Sequence, residues 1–172
     1  MKIHADVVLP FELPRVFAAY RDQLLDLVPH LPNIRSITVT SRVDRGSETD
    51  FVNEWFGGGD IPQAVRSVLS ESMLRWTDFA NWNQDDFTVT WRTEIHAFPG
   101  AATSSGKNQY VEVPEGTRVE LRGDLSIDGS KVPSVPRFLQ KTVAQMAEKI
   151  IVGQVETNLV SIARGVERLL AR

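Results

Sequence analysis

At 172 residues the chain suits one domain with one core, long enough to bury about two thirds of the surface its unfolded form exposes. An apolar share of 42% and a charged share of 24% exclude disordered and fibrous classes, and a formal charge of -3 without a dense Lys/Arg run argues against a nucleic-acid partner. The absence of cysteine excludes disulfides, thiolate metal sites and a cysteine nucleophile.

The first ten residues carry Lys2, His4 and Asp6 where a leader would be apolar, and no apolar run approaches the roughly 20 residues of a membrane span. The expectation is a cytoplasmic protein with no stable membrane insertion. Ile3, Ala5, Val7 and Leu9 alternate up to Pro10, which predicts a strand over 2–9. Val16, Phe17, Tyr20, Leu24, Leu25 and Leu27 then fall at helical spacing behind Pro14, giving a helix of about three to four turns that Pro29 and Pro32 terminate. Ile37, Val39, Ser41 and Val43 alternate up to Arg45-Gly46, and 49–56 resumes the pattern, so the pair reads as a hairpin.

Gly57-Gly58-Gly59 breaks the sheet, and Asp60 and Pro62 suit the start of a short helix or irregular crossover over 61–70. The clearest hairpin follows. Leu74, Trp76, Ala80 and Trp82 share one parity, Phe87, Val89, Trp91, Thr93 and Ile95 another, and the turn-rich Asn83-Gln84-Asp85-Asp86 joins them. A Gly/Ser/Thr-rich stretch over 98–106 reads as a loop, 109–113 as a strand, and Val119, Leu121, Leu125 and Ile127 as one strand face, with Gly123 marking a bend. After Pro133 and Pro136 no proline interrupts a final helix of about 35 residues, or about 50 Å. Leu139, Val143, Met146 and Ile150 make one apolar stripe of it and Ile151, Val155, Leu159, Ile162, Val166 and Leu169 another, which predicts a change of buried face near Gly153.

The opening VVLPFELPRVFAAYRD, the proline-rich LVPHLPNIRSITVTSRV and the terminal helix together resemble the START-like superfamily, which includes polyketide cyclases, birch-pollen-allergen-type proteins and lipid-transfer domains. The resemblance covers nearly the whole chain, 1–172, as a single domain. It implies an α+β helix-grip fold: a curved antiparallel sheet of about six or seven strands around a long C-terminal helix, with short helices after the first strand. It also implies a cavity between the sheet and that helix, which the change of face near Gly153 would confine to the helix's first half, and a lipophilic small molecule as partner.

Candidate site residues follow from strand parity. Asn53 and Trp55 share a face, and Asp78 falls among inward Leu74, Trp76 and Ala80. A buried carboxyl with a raised pKa would serve as a general base or anchor a polar ligand group, but a strand irregularity that turns it outward is the favoured reading, because parity slips by a residue or two. Trp76, Trp82 and Trp91 either pack as core or wall a pocket. Thr93 and Tyr110 offer hydroxyls, and Leu121, Met146 and Ile150 complete the expected lining. His4, His30 and His96 are scattered with no metal-ligand spacing, so neither metal nor cofactor is expected. GGGD lacks the Lys and Ser/Thr of a phosphate loop and reads as a connection. Two rivals to a noncatalytic carrier stand: a cyclase, aromatase or dehydratase-type enzyme with Asp78 as the catalytic group, and a homodimer or docking module using the second helical stripe beside Arg164, Arg168 and Arg172.

Overall fold

Alternating apolar and polar residues form seven strands in the structure, a computed structural model that describes residues 1–58, 70–132 and 135–171. In chain order they are β1 (Lys2–Leu9), β2 (Ile34–Arg45), β3 (Glu48–Gly57), β4 (Arg75–Asn83), β5 (Thr88–Ile95), β6 (Ala102–Val113) and β7 (Gly116–Ile127). All neighbours pair antiparallel in the order β1-β7-β6-β5-β4-β3-β2, so the chain meanders from β2 to β7 while β1 joins the far edge. Register shifts between Ile34 and Ser36 and between Val39 and Ser41 place irregularities in β2, devices that bend a sheet.

The expected strand at 2–9 and both expected hairpins are present. Residues 102–106, read as loop, belong to β6. Their small polar side chains match poorly with strand propensity, but pairing with β5 and β7 on both sides outweighs it. The proposed helix or crossover over 61–70 lies, up to residue 69, outside the described residues.

The predicted second element is broken. It forms α1 (Leu13–Asp22), with Pro14 in its first turn, a break at Gln23, α2 (Leu24–Leu27) and a 3₁₀ turn at Val28–His30. Val16, Phe17, Ala19 and Tyr20 are the buried face of α1. Phe17 meets Trp82, Phe87 and Tyr110 edge-on at 5.1–5.3 Å, and each such pair contributes about 0.5–1.5 kcal/mol beyond the area it buries. This aromatic knot closes one end of the sheet. Phe87 holds its place in it at a φ of 50°, an uncommon backbone conformation for an aromatic residue, just after a turn in which Asn83 Oδ1 accepts from the amides of Asp85 and Asp86.

A 3₁₀ turn at Arg137–Leu139 leads into α3 (Gln140–Leu170), which is uninterrupted and packs on β1, β7 and α1. At 1.5 Å per residue its 31 residues span about 46 Å. The expected change of face at Gly153 is not seen. Val143, Ala147, Ile150, Ile151, Gln154, Val155, Asn158, Leu159 and Ile162 all border the same interior space. The two sequence stripes are the two edges of one broad face, and Gly153 lies on the exposed side with open space around it. Farther along, Ala163 and Val166 are buried in the α1 cluster with Ile162 and Leu169 against it, so the stripe proposed for dimer contacts is occupied internally.

Candidate functional site

The concave face of the sheet does not close fully on α3. Between them lies a cavity of about 590 Å³, within the range of small-molecule sites. Its walls come from strands β2 to β7, from α1 and α2, and from α3 along most of its length. The lining runs out to exposed Leu25, Val39 and Arg42, so the space meets solvent between α2 and β2.

Register explains which side chains reach the cavity. Because side chains alternate across a strand, residues paired directly across the sheet share a face and form rows. One row is Trp55, Trp76 and Ile95, and a second is Phe51, Ala80, Trp91, Gly106 and Gly123. Between these two apolar rows runs a polar one: Asn53 pairs with Asp78, Asp78 with Thr93, and Thr93 with Ser104. All four line the cavity, and three strand spacings of about 4.8 Å make the row about 14 Å long. The site is therefore an apolar slot crossed by one polar belt. Gln154 and Asn158 of α3 border the same space from the helix side.

The tryptophans have distinct duties. Trp55 and Trp76 stack at 5.7 Å with planes 14° apart. Trp91 donates its indole N–H to Asn108 Oδ1 at 2.9 Å, and its ring occupies the space over two facing glycines. A Cβ on Gly106 would come within 2.5 Å of that ring and 2.3 Å of the Arg122 carbonyl; one on Gly123 would come within 2.9 Å of the ring. Gly123 thus leaves room for an indole as well as for curvature. Trp82 belongs more to the aromatic knot, 6.1 Å from Tyr110.

Asp78 points inward, as its parity predicts, with no irregularity turning it out. Asn53 Nδ2 donates to its Oδ2 at 3.3 Å, and no basic side chain pairs with it among the described residues. The carboxyl keeps an accessible edge towards the cavity while protein surrounds it otherwise. Burial pushes its pKa up to about 6, against a smaller downward pull from the Asn53 bond. Asn53 Oδ1, Trp55 Nε1 and the hydroxyls of Tyr20 and Tyr110 are buried without a hydrogen-bond partner among the described residues. Burial raises the pKa of both tyrosines, which stay neutral donors and acceptors.

Of the residues expected at the site, Asn53, Trp55, Trp76, Asp78, Trp91, Thr93, Tyr110, Leu121 and Ile150 line the cavity. Met146 does not. It is 43% exposed, about 120° around α3 from the centre of the cavity-facing row. Sequence reasoning missed Ser104, hidden in the stretch read as loop, and Gln154 and Asn158, whose polarity disqualified them from an apolar stripe although their spacing places them on it. His96 sits on the opposite face of the sheet, where its Nε2 lies 2.8 Å from the Thr77 hydroxyl and 3.5 Å from Glu54. Among the described residues no three His, Asp or Glu side chains gather as metal ligands, and no helix is long and apolar enough to cross a membrane.

A seven-stranded antiparallel sheet gripping a long C-terminal helix over an internal cavity is a helix-grip fold, as the resemblance implied. Solved structures of that fold superpose over nearly the whole chain. The protein TTHA0849 from Thermus thermophilus matches with a TM-score of 0.69 at 19% identity, covering 96% of this chain and 97% of its own. The Zhui aromatase/cyclase from Streptomyces sp. R1128 matches at 0.68 and 11%, covering 99% and 95%. Norcoclaurine synthase from Thalictrum flavum matches at 0.61 and 11%, covering 100% and 87%. At such identities the likeness is one of fold. No family sequence model matches the chain, and no curated protein is similar to it in sequence.

Proposed function

We propose that the protein binds, and in a cytoplasmic setting carries or senses, a lipophilic small molecule held between the sheet and α3. The observation that carries this reading is the cavity itself: about 590 Å³ walled by Trp55, Trp76, Trp91, Leu121, Ile150 and their neighbours, in a fold whose interior is otherwise closely packed. Burying one apolar ligand there would release about 25 cal/mol for each Å² removed from water. Native mass spectrometry of gently purified protein and displacement of the neutral dye Nile red test it. The expected results are a ligand-bearing species or saturable dye binding at one site per chain; neither occupancy nor dye binding would end the proposal.

A second reading rests on Asp78. A carboxyl titrating near 6 inside an apolar slot is poised to take a proton at neutral pH, which is what a cyclase, aromatase or dehydratase-type reaction asks of a general base. The named aromatase/cyclase and synthase of the same fold support this rival. Thr93, directly across from Asp78, and Tyr110 would orient the substrate. Unchanged turnover of Asp78→Asn on a confirmed substrate would remove the assigned role.

A further inference from the structure

The polar belt is unevenly supplied with donors and acceptors. At its centre the Asp78 carboxylate and the buried Asn53 Oδ1 are both acceptors, and the Asn53 amide nitrogen supplies one bond between them, at 3.3 Å. The charged residues on the cavity wall are committed elsewhere. Arg21 and Arg42 bond to Asp22, Arg42 also bonds to Asp44, and Arg75 lies 4.6 Å from the centre of the Phe56 ring. From β5 Asp78 faces Thr93, and α3 contributes only the neutral Gln154 and Asn158. A carboxylate thus sits in an apolar slot with no cation among the described residues to balance it, an arrangement that costs stability until a partner charge is supplied.

Building on the cavity-binding reading, we propose that the ligand is a lipophilic primary or secondary amine whose ammonium seats against the Asp78 carboxylate, which Asn53 holds in place. An ammonium supplies the positive charge missing among the described residues of the belt and brings two or more charge-assisted N–H donors to the carboxylate. The flanking rows suit the remainder of such a molecule. The faces of Trp55, Trp76 and Trp91 take its apolar body and add a cation-π attraction beside the charge. A fatty acid or other anion would bring like charge to Asp78 and is disfavoured. Since Asp78 titrates near 6, the ammonium finds an ionised partner at pH 7.5 and a mostly neutral one at pH 5.

Three probes sharing one apolar body test this on the full chain: 4-phenylbutylamine, 4-phenylbutan-1-ol and 4-phenylbutanoate, followed by calorimetry and by Nile red displacement. At pH 7.5 the amine should bind at least tenfold tighter than the alcohol, and the carboxylate weakest. Between pH 7.5 and 5 the preference for amine over alcohol should shrink severalfold, while the amine itself stays charged. Asp78→Asn should abolish the preference and keep alcohol binding, and Asn53→Ala should reduce it in part. Equal binding of amine and alcohol, a preference for the carboxylate, or a preference that survives Asp78→Asn would overturn the amine assignment while leaving the cavity reading intact. Failure of all three probes and of the dye would overturn both. The pH dependence of the unsubstituted protein decides the matter should the variants fail to fold.

Discussion

Asp78→Asn should stabilise the ligand-free protein at pH 8. Its folded pKa of about 6, against an ordinary 3.8, means that the native state holds the proton more tightly than the unfolded chain does. The resulting penalty is absent below pH 3.8, grows as pH climbs towards 6 and is complete above that. At about 1.36 kcal/mol per pKa unit the gap is worth about 3 kcal/mol, and screening at the cavity-facing edge trims this to about 1.5–3 kcal/mol. Asparagine removes the charge and keeps a carbonyl for the Asn53 amide. Urea unfolding at pH 8 should therefore show a midpoint raised by roughly 0.5–1.5 M in the variant, with an unchanged slope, and nearly equal midpoints at pH 4. Arginine-paired Asp6 and Asp44 have lowered pKa values and give stability the opposite pH trend, but they are common to both proteins and cancel in the difference. A variant less stable at pH 8, or a gap of equal size at both pH values, would refute the buried-charge account.

Other substitutions probe the frame. Gly153→Ala places a methyl in open space on the exposed side of α3 and should stabilise by up to about 1 kcal/mol in thermal or urea unfolding; a loss would mean that Gly153 has a role beyond the helix. Gly106→Ala drives a Cβ against the Arg122 carbonyl and the Trp91 ring, and should cost about 2–3 kcal/mol while shifting tryptophan emission. Ala147→Leu adds three carbons to the cavity wall: dye affinity should fall at least threefold with stability unchanged or raised, as judged by Nile red titration and unfolding midpoints.

The strands and their pairing were legible because a curved sheet buries one face, and burying one face writes a period of two into the sequence. Parity counted from Trp76 and Ala80 offers an inward Asp78, but sequence alone favours an irregularity that turns it outward, and only the unbroken pairing of β4 with β3 and β5 rules that out. The start of β6 was hidden, since Ala102 to Gly106 has the composition of a loop and is a strand only because β5 and β7 hold it on both sides. The break at Gln23 was equally hidden. Leu24, Leu25 and Leu27 keep the helical rhythm across it, while the backbone of Gln23 leaves the helical region at φ -114° and ψ 23°.

The error on α3 has a different cause and bears on function. A stripe rule assumes that whatever faces inward is apolar, as a solid core requires. A cavity wall obeys a looser rule, because water or a ligand in the space beside it can hydrogen-bond to polar side chains. Ala147, Gln154 and Asn158 border the cavity along α3, two of them polar and Gln154 solvent-exposed, while apolar Met146 is left on the flank. Read by hydrophobicity, that face falls apart into two stripes with an apparent turn between them; read by spacing, it is continuous from Val143 to Ile162. The same departure recurs across the cavity, where Asn53, Asp78, Thr93 and Ser104 interrupt apolar rows of the sheet. Polar residues bordering one space from both walls, Asn53 among them with an oxygen unpartnered among the described residues, are costly in a packed core and cost less where water or a bound molecule can meet them.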